Sequence, residues 1–120
     1  MNEVKINELI KMVQDFCEER DWDQYHNPKE LAIGMSTEAN ELLEIFRFKN
    51  ETQMKDMFKN EKTIEHIKEE YADVFFFMLR FAQMNNLDIE ACLKDKIDKN
   101  NKKYPVELSK GKNAKYNEFK

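Results

Sequence analysis

Val74 to Leu79 reads Val-Phe-Phe-Phe-Met-Leu, and this all-apolar stretch constrains the fold more than any other segment of the chain. It lies within a helical pattern running from about Lys62 to Met84, so apolar residues point in every direction around that helix. A helix that is apolar all round must be covered all round, and a chain of 120 residues has limited material with which to cover it. Self-association, with a dimer as the minimum, is the expected solution. Only two Gly and two Pro occur, amid abundant Glu, Lys, Leu, Met and Phe. That composition favours an all-α chain over a sheet protein.

Four helices are expected. The first spans about Val4 to Glu19, with Ile6, Leu9, Ile10, Val13, Phe16 and Cys17 on one stripe. A polar and aromatic connection, Arg20 to Asn27, leads to a strong start signal: Asn27 can cap, Pro28 suits the first helical position, and Glu30 follows three residues after the cap. The second helix runs from Pro28 to about Phe48, with Gly34 inside it as a point of close helix contact. Lys49 to Glu61 is a polar connection with room for a short helix. The third helix is the one from about Lys62 to Met84. Asp88 caps a fourth, from about Ile89 to Lys102, that Pro105 ends. Residues 1–120 form one domain on this reading, with an irregular basic tail at about 106–120.

Two acidic pairs are embedded in the apolar helices. Glu38 and Glu41 lie beside Leu42, Leu43, Ile45 and Phe46; Glu70 and Asp73 adjoin the Val74 to Leu79 run. A spacing of three puts both carboxylates of a pair on one helix face. Carboxylates taken from water are paired or hold a metal, and four oxygen-bearing side chains from two facing helices suit Mg²⁺, which also takes phosphate oxygens. For any one Glu, a wet helix face is the simpler explanation. Glu44, three residues after Glu41, is either a further member of the cluster or an exposed acid.

The net charge of −4 disfavours nonspecific nucleic-acid binding. Cys17 and Cys92 lack metal-type spacing and suggest no secreted disulfide framework. Neither a signal-like start nor a bilayer-length apolar segment is present. A cytoplasmic protein with no membrane or nucleic-acid partner is expected.

The ordered set Glu38-Ala-Asn-Glu41-Leu and Glu70-Tyr-Ala-Asp73-Val resembles the ExxE and ExxD motifs of the MazG-like all-α nucleoside triphosphate pyrophosphatases, nearest to the dCTP pyrophosphatase branch. The likeness extends to Glu19-Arg-Asp-Trp-Asp-Gln-Tyr-His-Asn-Pro28, to Glu41-Leu-Leu-Glu-Ile-Phe46, to Lys96-Ile-Asp-Lys-Asn100 with Lys103-Tyr-Pro105, and to Lys115-Tyr116. It implies a four-helix MazG-like bundle completed by oligomerisation, as a homodimer or tetramer. It also implies hydrolysis of a nucleoside triphosphate to the monophosphate and pyrophosphate, with Mg²⁺ as cofactor and Mn²⁺ as a substitute. Glu38, Glu41, Glu70 and Asp73 would be the metal ligands, and one of them, or Glu44, would polarise the water.

The resemblance further implies nucleotide contacts from Lys96, Asn100, Lys103 and Tyr104; Lys112, Lys115 and Tyr116 either close over the phosphates or belong to a solvated, disordered tail, the default for a terminus. Composition alone would make the lysines a complement to their own helix dipole. Trp22 and Phe48 match aromatic positions of the base pocket, where ring faces stack on nucleobases; His26 either faces the ligand or holds its loop. Phe48 replaces the usual Trp, Phe77 the usual Tyr, and Val13 the usual His. The reaction type is therefore better specified than the base. Alternatives are dUTP or another non-canonical nucleotide as substrate, and a noncatalytic helical interaction module. A ferritin-like di-metal oxidoreductase expects Glu-x-x-His pairs, which neither His26 nor His66 supplies.

Overall fold

The computed structural model describes residues 3–113, and every regular element among them is a helix: α1 (Ile6–Glu19), α2 (Pro28–Phe46), α3 (Glu51–Met57), α4 (Glu61–Met84), α5 (Ile89–Lys103) and α6 (Val106–Ser109). The all-α class and the four long helices match the sequence reading. Two short helices are additional. Asn50 and Gln53 form a reciprocal capping box that starts α3, within the connection where a short helix had room to form. The other, α6, corrects the expectation of an irregular tail; it is four residues long.

Local chemistry sets the boundaries. Asn27 Oδ1 accepts the Glu30 N–H at 2.8 Å, with Pro28 at the first position of α2. Asn60 and Asp88 cap α4 and α5 in the same way, accepting from Thr63 and Ala91 at 3.0 Å. At the far end of α1, Asp21 takes a left-handed φ of 55°, and the Arg20 and Trp22 N–H groups both return to Cys17 O. This satisfies terminal carbonyls that would otherwise be orphaned. α2 stops at Phe46, two residues short of the expected end: Arg47 leaves helical geometry at ψ 134°, and Phe48 then turns left-handed at φ 65°.

The chain divides after Asn86 into two compact units. In the first, α4 packs against both α1 and α2. Contacts between α2 and α4 run in antiparallel register: Gly34 meets Phe77, Glu38 shares a cleft with Asp73, and Glu41 reaches Glu70. Each turn forward along α2 is thus a turn backward along α4. The second unit consists of α5 and α6, with no buried side chain among its described residues.

Burial within the first unit is thin. Among the described residues the buried apolar side chains are Cys17, Leu31, Ile67, Leu79 and Ala82. Within the apolar run of α4, Val74 to Phe77 are only half-buried and Met78 is exposed, so the single chain does not cover that helix on all sides. No helix among the described residues is long and apolar enough to cross a membrane. Leu31, fully buried on α2, is the side chain whose truncation should cost most. Leu31→Ala is expected to lower unfolding free energy by about 2–5 kcal/mol, read from the urea midpoint at unchanged slope; a loss below about 1 kcal/mol would contradict this packing.

Candidate functional site

Antiparallel register places the two acidic pairs face to face. Ligand oxygens of Glu38, Glu41 and Glu70 lie within 4.8 Å of one another, and Asp73 stands with Glu38 at the edge of the adjoining cleft. Glu38 Oε2 and Glu70 Oε2 are both buried with no hydrogen-bond partner. Buried acceptors without partners are uncommon in native structures and point to an ion or water that satisfies them. Glu70 Oε1 is 3.3 Å from His66 Nε2, one turn earlier on α4.

Electrostatics follow from this crowding. Burial, contact with the Glu41 carboxylate, and the negative charges of Asp73 and Glu70 push Glu38 up to about 7. Glu70 is raised by burial and by Glu41 and Asp73, with His66 opposing. Like charges held together in this way favour the protonated form unless a cation replaces the proton. The donor set fits a hard divalent cation: oxygens only, clustered, two of them buried and unpartnered.

Beside the carboxylates, a cleft of about 520 Å³ is lined by Met12, Val13, Phe16, Trp22, Glu38, Asp73, Phe76 and Phe77. Its aromatic wall is mutually braced. Phe16 lies edge-on to Trp22 at 5.6 Å and to Phe76 at 5.7 Å, and Phe76 edge-on to Phe77 at 5.6 Å. Gly34 gives this wall its depth, since a Cβ there would lie 2.6 Å from the Phe77 ring. The close helix contact expected at Gly34 is therefore with a cleft residue.

Glu44, Phe48 and His26 stand outside the cleft lining. Glu44 is half-exposed, 3.3 Å from Arg47 Nη1, outside the carboxylate group. Phe48 is 88% exposed under the Arg47 guanidinium and does not line the cleft. His26 sits behind Trp22, ring centroids 6.1 Å apart, and accepts at Nδ1 from Arg80. In the second unit, Lys96, Asn100 and Lys103 share a face of α5 by their spacing, and Asn100 O accepts the Tyr104 N–H at 2.8 Å. Lys112 is exposed, with its N–H donated to Ser109 O. Lys115 and Tyr116 lie outside the described residues. The sequence reading overlooked Met12, Phe16 and Phe76 as cleft residues, and also Arg80. A lone cation within Phe-Met-Leu-Arg-Phe-Ala was the available signal for the last.

Two outcomes are expected. Raised from 4.5 to about 7, Glu38 keeps in the fold a proton that the unfolded chain has released, so stability falls as pH rises through that window. The melting temperature of metal-free protein should therefore drop between about pH 5 and pH 7.5, Glu38→Gln should flatten the slope, and Mg²⁺ should stabilise more at about pH 8 than at pH 5. A flat metal-free profile would contradict the crowded site. Gly34→Ala should displace the Phe77 ring, costing about 1–3 kcal/mol and narrowing the cleft; unchanged unfolding and unchanged ligand affinity would contradict that contact.

Comparison with known proteins agrees with this architecture. Residues 33–119 match the MazG-like family. The chain is 30% identical to mouse dCTP pyrophosphatase 1 over 98% of its own length and 69% of that protein's, and 27% identical to the human enzyme over the same shares. Its fold superimposes on a pyrophosphatase from Archaeoglobus fulgidus with a TM-score of 0.78 and 31% identity, covering 88% of this chain and 96% of that one. With most of its length matched to that family, the chain belongs to the MazG-like family.

Proposed function

We propose that this chain is a divalent-metal-dependent nucleoside triphosphate pyrophosphohydrolase, releasing the monophosphate and pyrophosphate, with dCTP or a modified dCTP as the leading substrate. One observation carries the reading: carboxylates with unpartnered buried oxygens converge at the edge of an aromatic cleft. Relatives named dCTP pyrophosphatase 1 and a structural neighbour named a pyrophosphatase support it.

Glu38, Glu41, Glu70 and Asp73 would hold Mg²⁺, or Mn²⁺ in its place. When bound, the cation neutralises charge on the triphosphate and polarises the attacking water. Trp22 and Phe77 offer ring faces for the base, and the apolar wall of Phe16 and Phe76 excludes water behind it. Val13 and Phe77 bring no hydrogen-bonding group to the cleft, so selection among bases falls to few polar atoms. That supports dUTP or another non-canonical nucleotide as the second reading. In the second unit, Lys96, Asn100, Lys103, Tyr104 and Lys112 are the proposed phosphate and sugar contacts, by the resemblance alone. Glu44 and Phe48 remain proposals on the same footing.

A homo-oligomer is part of this proposal. Met12, Ile33, Leu43, Tyr71 and Met78 are each about half exposed or more, a quantity of apolar surface that a second copy would cover.

Pyrophosphate release from a panel of ribo- and deoxyribonucleoside triphosphates, with Mg²⁺ and with EDTA, tests the proposal. Metal-dependent formation of a nucleoside monophosphate is expected, with dCTP preferred. Glu41→Gln and Asp73→Asn should each lower turnover by at least about a hundredfold while leaving the helical circular dichroism intact. Near-normal activity in both variants, or no release from any nucleotide, would overturn it.

A further inference from the structure

Arg80 is 1% exposed and neighbours buried Leu79, a costly position for a group that cannot shed its charge. Among the described residues it has three partners. Nη2 donates to Asp23 Oδ1, Nε to His26 Nδ1 at 3.0 Å, and Nη1 to Gln83 Oε1 at 2.6 Å. Asp23 and His26 belong to the connection between α1 and α2, so a buried cation of α4 is what fastens that connection down. Arg80 lies seven residues beyond Asp73, about 10 Å along the helix, and is not part of the carboxylate group.

Trp22 is carried by this same connection. Its N–H returns to Cys17 O at 3.0 Å, and its ring lies edge-on to Phe16 and to His26. Asp23 follows it in sequence. Its anchors on the connection are thus held by one guanidinium. The bond to Arg80 also fixes the His26 tautomer: Nδ1 accepts, so the proton of the neutral ring is on Nε2. Burial and the Arg80 charge push His26 below its ordinary value, with Asp23 opposing. Cys17, which faces the charges of Arg80, Asp23, Arg20 and Glu18, has its thiol raised mainly by burial and carries no charge there.

We propose that Arg80 is a positioning residue for the cleft: by gripping Asp23 and His26 it holds Trp22 in the cleft wall and fixes the His26 ring with Nδ1 as the acceptor. Its bearing on nucleotide affinity rests on the function proposed above. The placement of Trp22 and the state of His26 do not, and can be read without any nucleotide.

Trp22 is the chain's only Trp, so its emission reports the cleft wall directly. In full-length Arg80→Met, Trp22 emission should shift to the red and acrylamide quenching should rise severalfold. The His26 imidazole, followed by NMR and told from His66 by a His66→Gln control, should titrate at higher pH than in the unaltered chain. Asp23→Asn should move that titration the opposite way, to lower pH, because the group that opposes Arg80 is lost. With the preferred nucleotide, KM for Arg80→Met should rise on the order of tenfold with kcat changed less than about threefold. Arg80→Lys, which keeps the charge but not the three-way grip, should fall between.

Unchanged Trp22 emission and KM in Arg80→Met would overturn the proposal, as would a fall in kcat with no change in KM. If Arg80→Met does not fold, Asp23→Asn, altered at a half-exposed side chain, decides: raised KM with red-shifted Trp22 supports the grip, and neither change overturns it. Absence of turnover in the unaltered chain would end the nucleotide reading, while the Trp22 and His26 measurements would still decide the positioning role.

Discussion

The contact between Gly34 and Phe77 sets the spacing on which the rest of the first unit depends. Phe77 occupies the space where any other residue at 34 would place a Cβ, so α2 and α4 approach closely at this point. From there, one turn forward on α2 and one turn backward on α4 bring Glu38 and Asp73 to the same cleft, and the next step brings Glu41 to Glu70. Burial first, and then the mutual repulsion of carboxylates at this spacing, raises Glu38 and Glu70. The fold thus stores unfavourable charge proximity where a cation would relieve it, an arrangement better suited to function than to stability.

Helix type and the main boundaries were legible because their causes are local. Asn27 before Pro28, and Asp88 before Ile89, are caps that act within one turn of themselves. The misjudged ends have equally local causes that single-residue propensities conceal. α2 ends early as Arg47 turns extended and Phe48 then left-handed, and no propensity favours the latter conformation for an aromatic residue. The Asn50–Gln53 box that starts α3 is a short-range pattern, readable once its reciprocal bonds are considered.

The candidate site was legible to the depth of its periodicity. Spacing alone put Glu38 with Glu41 and Glu70 with Asp73, and the apolar flanks marked both pairs as unusual; their meeting across two helices required the register. Phe16 reads as a stripe residue and Phe76 as part of the apolar run, and only the packing of α1 on α4 turns them into a cleft wall. Arg80 could not be paired from sequence, since its partners Asp23 and His26 lie more than fifty residues earlier. Phe48 shows the reverse case: the family resemblance suggested the pocket, yet the single chain leaves it exposed.

Crystals grown with Mn²⁺ and an α,β-imido analogue of dCTP, which cannot be cleaved at the relevant bridge, would locate the cation through its anomalous scattering. An anomalous peak within about 2.0–2.5 Å of carboxylate oxygens from Glu38, Glu41, Glu70 and Asp73, with the base against Trp22, is the expected result. A peak held by other residues, or a nucleotide bound with no cation among these four acids, would contradict a metal site built on the register of α2 and α4.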